Sequence, residues 1–242
     1  MNIILFTTEE AAGTLARTDP RAVHLLSVLR REVGGSFDAG LINGPRGKGR
    51  IEAIETDVLR LSFCWDLPPA PLEPLIILLG LPRPQTARDL LREATTLGAT
   101  ALHFVTTERC DANYAASSLW STGEWRRHCL QGAEQAFDTR IPEVSWSQSL
   151  ESALASLPGG EIRVGLDNYE ARDALGACEE IRKREAQPVV MALGPERGWG
   201  DRDRALLRKE GFLLAHLGAR VLRSETAMVA AVSILRAARG QM

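Results

Sequence analysis

From residue 75 onward, short apolar runs alternate with longer stretches in which apolar residues recur at three- and four-residue steps. That alternation predicts an α/β domain whose crossover helices join the strands of a parallel sheet. Strands are expected at Leu75–Leu81, Ala101–Thr106, Ile162–Leu166, Val189–Leu193 and Phe212–Leu217, and helices near 86–97, 119–136, 171–185, 201–210 and 225–238. In the first of these helices Ala87, Leu90, Leu91, Ala94 and Leu97 make one apolar face, and Gly98 supplies the stop. The N-terminal part has a different rhythm. One helix around Pro20–Arg30 is followed by short β-type runs, Ser36–Leu41, Gly49–Ile54 and Val58–Phe63, separated by Asn43-Gly44 and Thr56-Asp57, as in a small barrel built from hairpins. Between the two rhythms lies Asp66–Pro74, whose four prolines can neither continue a helix nor enter a central strand. The domains are therefore expected to be 1–68 and 73–242.

Composition narrows the function classes. With 242 residues, 45% of them hydrophobic, the chain can bury an ordinary core. No apolar run approaches the roughly 20 residues of a membrane helix, so no membrane partner is expected. Met1–Thr8 lacks the order of a secretory signal, which leaves the cytoplasm as the expected location. Cys64, Cys110, Cys129 and Cys178 lie far apart, and the four histidines are not spaced with them as metal ligands, so reduced thiols and no metal are expected. Twenty-nine basic against thirty-one acidic residues, a net charge of −2, do not advertise a nucleic-acid binder. A local basic face is still available from Arg46, Lys48 and Arg50 in a glycine-rich stretch, with a solvated hairpin tip as the plain alternative.

Two segments carry candidate chemistry. In Val189–Gly200 a buried strand runs into a loop containing Gly194, Pro195, Gly198 and Gly200 before a helix. Ligands of open α/β sheets bind beyond the carboxyl ends of the strands, and glycines let backbone amides approach a ligand closely. Glycines that merely turn the chain would look the same, and the loop is not the GxGxxG fingerprint. In Leu217–Ala227, Arg220, Arg223 and Glu225 cluster where a plain connection needs no charge. Arginine forks suit phosphate or carboxylate recognition, whereas an Arg223–Glu225 surface pair is the bland alternative. His24 and His216 read as structural, as do Trp120, Trp125 and Trp146; Trp199, inside the glycine loop, is the one tryptophan placed to cover a bound ring.

LGPERG at 193–198 and LGARVLRSETA at 217–227 together resemble the paired signatures of the RsmE family, (I/L)GPEGG and LGxRILRxETA. The second matches at its specific positions; the first departs at Arg197, where the family has glycine, so a change in the pocket mouth or in the loop conformation is expected there. The likeness runs over nearly the whole chain. His24–Arg30 is similar to the family's H-xxx-VLR element, Thr107–Cys110 to its S-E-R segment, Ala133–Gln135 to A-x-E-Q and Arg140–Pro142 to R-x-P. Between Pro82 and Ala99 the family's lysines are replaced or lost.

The resemblance implies a PUA-like RNA-binding barrel followed by a SPOUT methyltransferase domain with a C-terminal deep trefoil knot, usually assembled as a homodimer. It implies S-adenosylmethionine as cofactor and N3 of a uridine in 16S ribosomal RNA of the small subunit as target. Leu166, Leu193, Gly194, Pro195, Gly198, Leu217, Gly218, Leu222, Thr226 and Ala227 are then the expected cofactor residues. Arg223, Glu225 and Glu196 are the catalytic candidates: an arginine steadies the uracil anion while a carboxylate orients it or takes the proton. Glu196 could equally be a helix-start acid. Arg30, Arg46, Lys48, Arg50, Arg140 and Arg220 are the expected RNA contacts. The alternatives are methylation of a ribose 2′-hydroxyl or a transfer-RNA guanine by the same fold, and a non-catalytic RNA-binding assembly factor.

Overall fold

The computed structural model describes residues 3–69, 74–183 and 187–241, which fall into two compact units: 3–69 with 130–141, and 74–129 with 142–241. Residues 70–73, which include the expected start of the second domain, lie outside the described residues, as do 184–185 at the end of one expected helix.

The first unit is built on β1 (Ile4–Phe6), β2 (Thr14–Ala16), α1 (Pro20–Val23), β3 (Ser36–Leu41), β4 (Arg46–Ile54) and β5 (Val58–Leu67). Its sheet runs β1-β3-β4-β5-β2, with β1 parallel to β3 and the other pairs antiparallel. Phe6, Leu25, Phe37, Ile51 and Leu59 fill its core. Three differences from the sequence expectation have physical causes. The helix expected at 20–30 keeps α geometry only over α1, then widens into a π turn over His24–Val28 and ends with Arg30 at φ +49°. The strand expected from Gly49 begins at Arg46, so the basic residues lie along β4 and not in a loop. Gly47 makes this possible, because a Cβ there would stand 1.8 Å from the Cys64 carbonyl oxygen on β5. Finally, residues 130–141 pack with this unit: the Thr139 hydroxyl donates to the Gly44 carbonyl at 2.6 Å, and the Ile141 N–H donates to Asn43 Oδ1 at 3.0 Å.

The second unit contains β6 (Leu75–Gly80), α2 (Pro84–Thr96), β7 (Ala101–Thr106), α3 (Ser118–Ser121), α4 (Glu124–Gln135), β8 (Glu143–Ser149), α5 (Leu150–Ala155) and β9 (Ile162–Leu166). It continues with β10 (Asp173–Ala174), α6 (Glu179–Lys183), β11 (Val189–Leu193), α7 (Asp201–Lys209), β12 (Leu213–His216) and α8 (Ser224–Ala238). The residues of α4 from Leu130 onward count with the first unit. Its seven strands form one parallel sheet in the order β10-β12-β9-β11-β6-β7-β8. Central β11 is buried at every position, as a parallel strand covered on both faces must be.

The expected helix 119–136 is split by Gly123 at φ +75° into α3 and α4. The expected helix 171–185 is replaced by β10, a 3-10 turn at Leu175–Ala177 and the short α6, because Asp173 and Ala174 pair with Ala215 and His216 of β12. Edge strand β8, Glu-Val-Ser-Trp-Ser-Gln-Ser, carries too many polar residues to announce itself, and among the described residues it pairs only with β7. Among the described residues no helix is long and apolar enough to cross a membrane.

Candidate active site

Strands β12, β9, β11 and β6 are consecutive neighbours in a parallel sheet, so the four loops leaving their carboxyl ends emerge side by side. A cavity of about 840 Å³ lies among those loops, the size expected for a cofactor cleft. The loop after β6 contributes Arg83 to Thr86, that after β9 Leu166 to Tyr169, that after β11 Leu193 to Trp199, and that after β12 Leu217 and Val221 to Glu225.

The glycine loop is held closed from within. A Cβ on Gly194 would stand 3.0 Å from both the Gly198 carbonyl carbon and the Trp199 nitrogen, and one on Gly80 would stand 2.3 Å from Pro195 Cδ. The left-handed residue of the turn is Gly198, at φ +69°. Arg197 is exposed on the cavity wall and has no left-handed backbone, so its departure from the family pattern leaves the turn unstrained; its carbonyl accepts a hydrogen bond from Arg109 at 3.3 Å. Beyond the loop, buried Asp203 accepts from the Gly200 N–H at 2.9 Å and the Glu108 N–H at 3.1 Å, which fixes the start of α7.

A second brace was not visible in the sequence. Asp167, directly after β9, accepts at Oδ1 from the N–H groups of Tyr169 and Glu170, both at 2.7 Å, and pairs at Oδ2 with Arg204 Nε of α7, also at 2.7 Å. Both side chains are almost wholly buried. An acid just past a buried strand is a readable hint. A buried arginine in an otherwise charged helix leaves none, since the composition of α7 looks solvent-facing.

Among the catalytic candidates, Arg223, Glu225 and Glu196 all line this cavity. Arg223 precedes α8 with an extended backbone and an exposed side chain. Among the described residues the Arg223–Glu225 ion pair of the bland reading does not form. Glu196 does not start α7, which begins five residues later, but its carboxylate sits at the start of α2, beside the capping residue Arg83. Its Oε1 instead accepts from the Arg83 N–H at 3.1 Å and the Arg83 guanidinium at 3.3 Å. Burial pushes its pKa up, but hydrogen bonds from its own and the Arg83 backbone, from Thr86 and from the Arg83 guanidinium more than offset this and leave it below the ordinary carboxylate value.

Of the expected cofactor residues, Leu166, Leu193, Gly194, Pro195, Gly198, Leu217, Leu222 and Ala227 line the cavity. Gly218 and Thr226 flank it in sequence without lining it; Gly218 serves the turn, at φ +108°. Trp199 does not present a free ring. It is 1% exposed, packed in the core, and its indole N–H donates to the Leu166 carbonyl at 2.9 Å. His216 is half-buried and accepts from the Gly218 N–H at 3.0 Å, bracing the loop after β12.

Of the expected RNA contacts, Arg46, Lys48 and Arg50 lie at alternate positions along β4. Arg46 donates to the Phe137 carbonyl at 2.7 Å and lies over its ring, Lys48 pairs with Asp38 at 2.6 Å, and Arg50 approaches Glu52 at 3.8 Å. Arg140 donates to the Pro69 carbonyl at 3.0 Å. Arg30 and Arg220 are exposed.

The parallel sheet, the glycine loop and the arginine-bearing loop that line one cleft fall within residues 68–236, which match the family model described as an RNA methyltransferase domain. The Treponema pallidum ribosomal RNA small subunit methyltransferase E is 31% identical, covering 98% of this chain and 91% of its own length. That of Borreliella burgdorferi is 25% identical over 99% and 98% of the two chains. The chain belongs to the family of ribosomal RNA small subunit methyltransferase E. In fold it is similar to the enzyme of that name from Neisseria gonorrhoeae, solved bound to S-adenosyl methionine, with a TM-score of 0.76, 23% identity and coverage of 98% and 97%.

Proposed function

We propose that this chain methylates N3 of a uridine in 16S ribosomal RNA, with S-adenosylmethionine as donor. The observation that carries the reading is the convergence of the loops after β9, β11 and β12 on one cavity, which gathers the cofactor and catalytic residues expected from three distant segments. The cavity fits the cofactor. Half-buried Leu166, Leu217 and Leu222, with buried Leu193 at the end of β11, offer apolar contact to an adenosyl group, and the close-packed 194–198 turn leaves backbone groups at the wall. When bound, S-adenosylmethionine supplies a methyl group activated by its sulfonium.

The chain's own part is to hold the uracil in line and manage its proton. Loss of the N3 proton places negative charge on both carbonyl oxygens of the ring. Arg223, exposed at the cavity, is the group that stabilises this anion. Glu225, in the first turn of α8, orients Arg223 or takes the proton. Glu196 is the poorer base, because the groups that lower its pKa also hold its lone pairs. The open N–H groups of the first turn of α8 add positive potential at the same wall.

Several finer features belong to the same reading. The chain leaves β11, crosses β9 to reach β12 and returns in α8, which supports a deep trefoil knot of SPOUT type. The five-stranded sheet, with its register shift between Ile51 and Ala53, supports a PUA-like barrel that meets RNA through Arg30, Arg46, Lys48 and Arg50, with Arg140 and Arg220 as further contacts. Val221, 83% exposed just before the alanine-rich α8, supports a homodimer. The cytoplasm is the compartment that holds the substrate.

The test is incubation of the purified protein with S-adenosylmethionine and small ribosomal subunits lacking the modification, followed by nucleoside mass spectrometry. The expected product is 3-methyluridine. Methylation of a ribose or a guanine would move the target to another atom, and failure to bind cofactor would sink the reading.

A further inference from the structure

Tyr169 is the most exposed aromatic side chain on the wall of the candidate active site, 74% accessible, and it is contacted at both its backbone and its ring. Its backbone N–H is fixed by Asp167 Oδ1 at 2.7 Å. The Arg204 guanidinium lies 5.4 Å from its ring centroid, and that guanidinium is itself clamped by Asp167 at 2.7 Å and Asp201 at 3.2 Å. The buried Asp167–Arg204 pair thus sets both the main chain and the ring. Gly198, in the loop after β11, lies beside the ring: a Cβ there would stand 3.5 Å from Tyr169 Cε2, in ordinary contact. A large ring left 74% exposed at the rim of a cleft buries little surface for folding beyond its contact with Arg204, whereas a preorganised aromatic plate binds planar rings with little loss of freedom.

We propose that Tyr169 is a substrate-binding residue that stacks on the RNA base presented to the cavity, with Arg204 as its positioning residue. The inference rests on the methyltransferase reading of the site. The base is favoured over the cofactor's adenine by exposure: of the apolar residues suited to an adenosyl group, Leu166, Leu217 and Leu222 are half-buried and Leu193 is buried, while Tyr169 stands out in solvent. Stacking tolerates any base, so Tyr169 supplies grip and not sequence choice.

The experiment compares wild type, Tyr169→Ala and Tyr169→Phe for S-adenosylmethionine affinity by calorimetry and for methylation of unmodified small subunits. Because the side chain is exposed, all three should melt alike. Tyr169→Ala should raise KM for the subunit on the order of 5- to 100-fold, with cofactor Kd unchanged, and Tyr169→Phe should restore it. Weakened cofactor binding in Tyr169→Ala would assign the ring to adenine and overturn the proposal. Unchanged kinetics in an active protein would overturn it too, leaving the methyltransferase reading intact. A wild type that neither binds cofactor nor methylates would overturn both.

Discussion

Asp167→Ala removes one partner of a buried ion pair and three hydrogen bonds in a single step. The carboxylate and the Arg204 guanidinium are 1% and 4% exposed, so Arg204 would be left with a desolvated charge and the Tyr169 and Glu170 N–H groups without their acceptor. Breaking such a pair from one side costs about 3–5 kcal/mol. Arg204 keeps Asp201 at 3.2 Å, but Asp201 is 89% exposed and compensates weakly, which places the expectation near the lower end, about 3 kcal/mol. At about 2–4 °C per kcal/mol for a chain of this size, the melting temperature should fall by roughly 6–12 °C. Asp167→Asn keeps an acceptor for the two N–H groups and should lose less. The double variant Asp167→Ala/Arg204→Met removes the stranded charge and should recover part of the loss. Calorimetric melting of wild type, these three variants and the Arg204→Met single variant measures this, with cofactor affinity as a second readout of the loop after β9. A loss below about 1 kcal/mol in Asp167→Ala, or a double variant worse than the sum of the singles, would refute the claim that this pair braces the site.

Arg223→Ala should lower turnover by about 10²-fold while cofactor affinity, read by calorimetry, is retained; wild-type turnover would remove its role. Gly80→Ala should weaken cofactor binding and lower the melting temperature, because the new methyl would stand 2.3 Å from Pro195 Cδ. Glu124 accepts from Arg88 at 3.0 Å and from His128 at 3.2 Å, and these partners, Arg88 foremost, lower its pKa to about 2. A depressed carboxylate stabilises the fold above its unfolded pKa and loses that contribution as the pH falls through the folded value. Glu124→Gln should therefore flatten the melting temperature's dependence on pH between roughly 4.5 and 2, as a pH series of melts would register.

Strong local signals carried the parts that were legible in the sequence. Ala101–Thr106, Ile162–Leu166 and Val189–Leu193 appear as strands with those very limits, because strands covered on both faces are mostly apolar, wholly so in Val189–Leu193 and interrupted by His103, Thr106 and Arg163 in the other two. The same logic fails at the sheet's edges. Polar β8 and two-residue β10 exist because a neighbour offers hydrogen bonds, and nothing in their own residues requires a strand.

The site divides in the same way. The glycine loop and LRSETA were readable because each packs its chemistry into a few consecutive residues. Asp167, Tyr169 and Arg204 were not, since an ion pair across 37 positions and a ring lying on a guanidinium depend on where α7 docks against the loop after β9. Trp199 shows the converse: sequence proximity to the cavity suggested an aromatic cover, and packing turned the indole into the core. By itself the sequence determined the class of each unit, the family and the two loops that carry chemistry, because backbone stiffness and apolar spacing act over a few residues. Only the tertiary structure decided which charges are buried, which are paired and which ring faces the cleft, because desolvation and pairing depend on neighbours that the chain brings together only by folding.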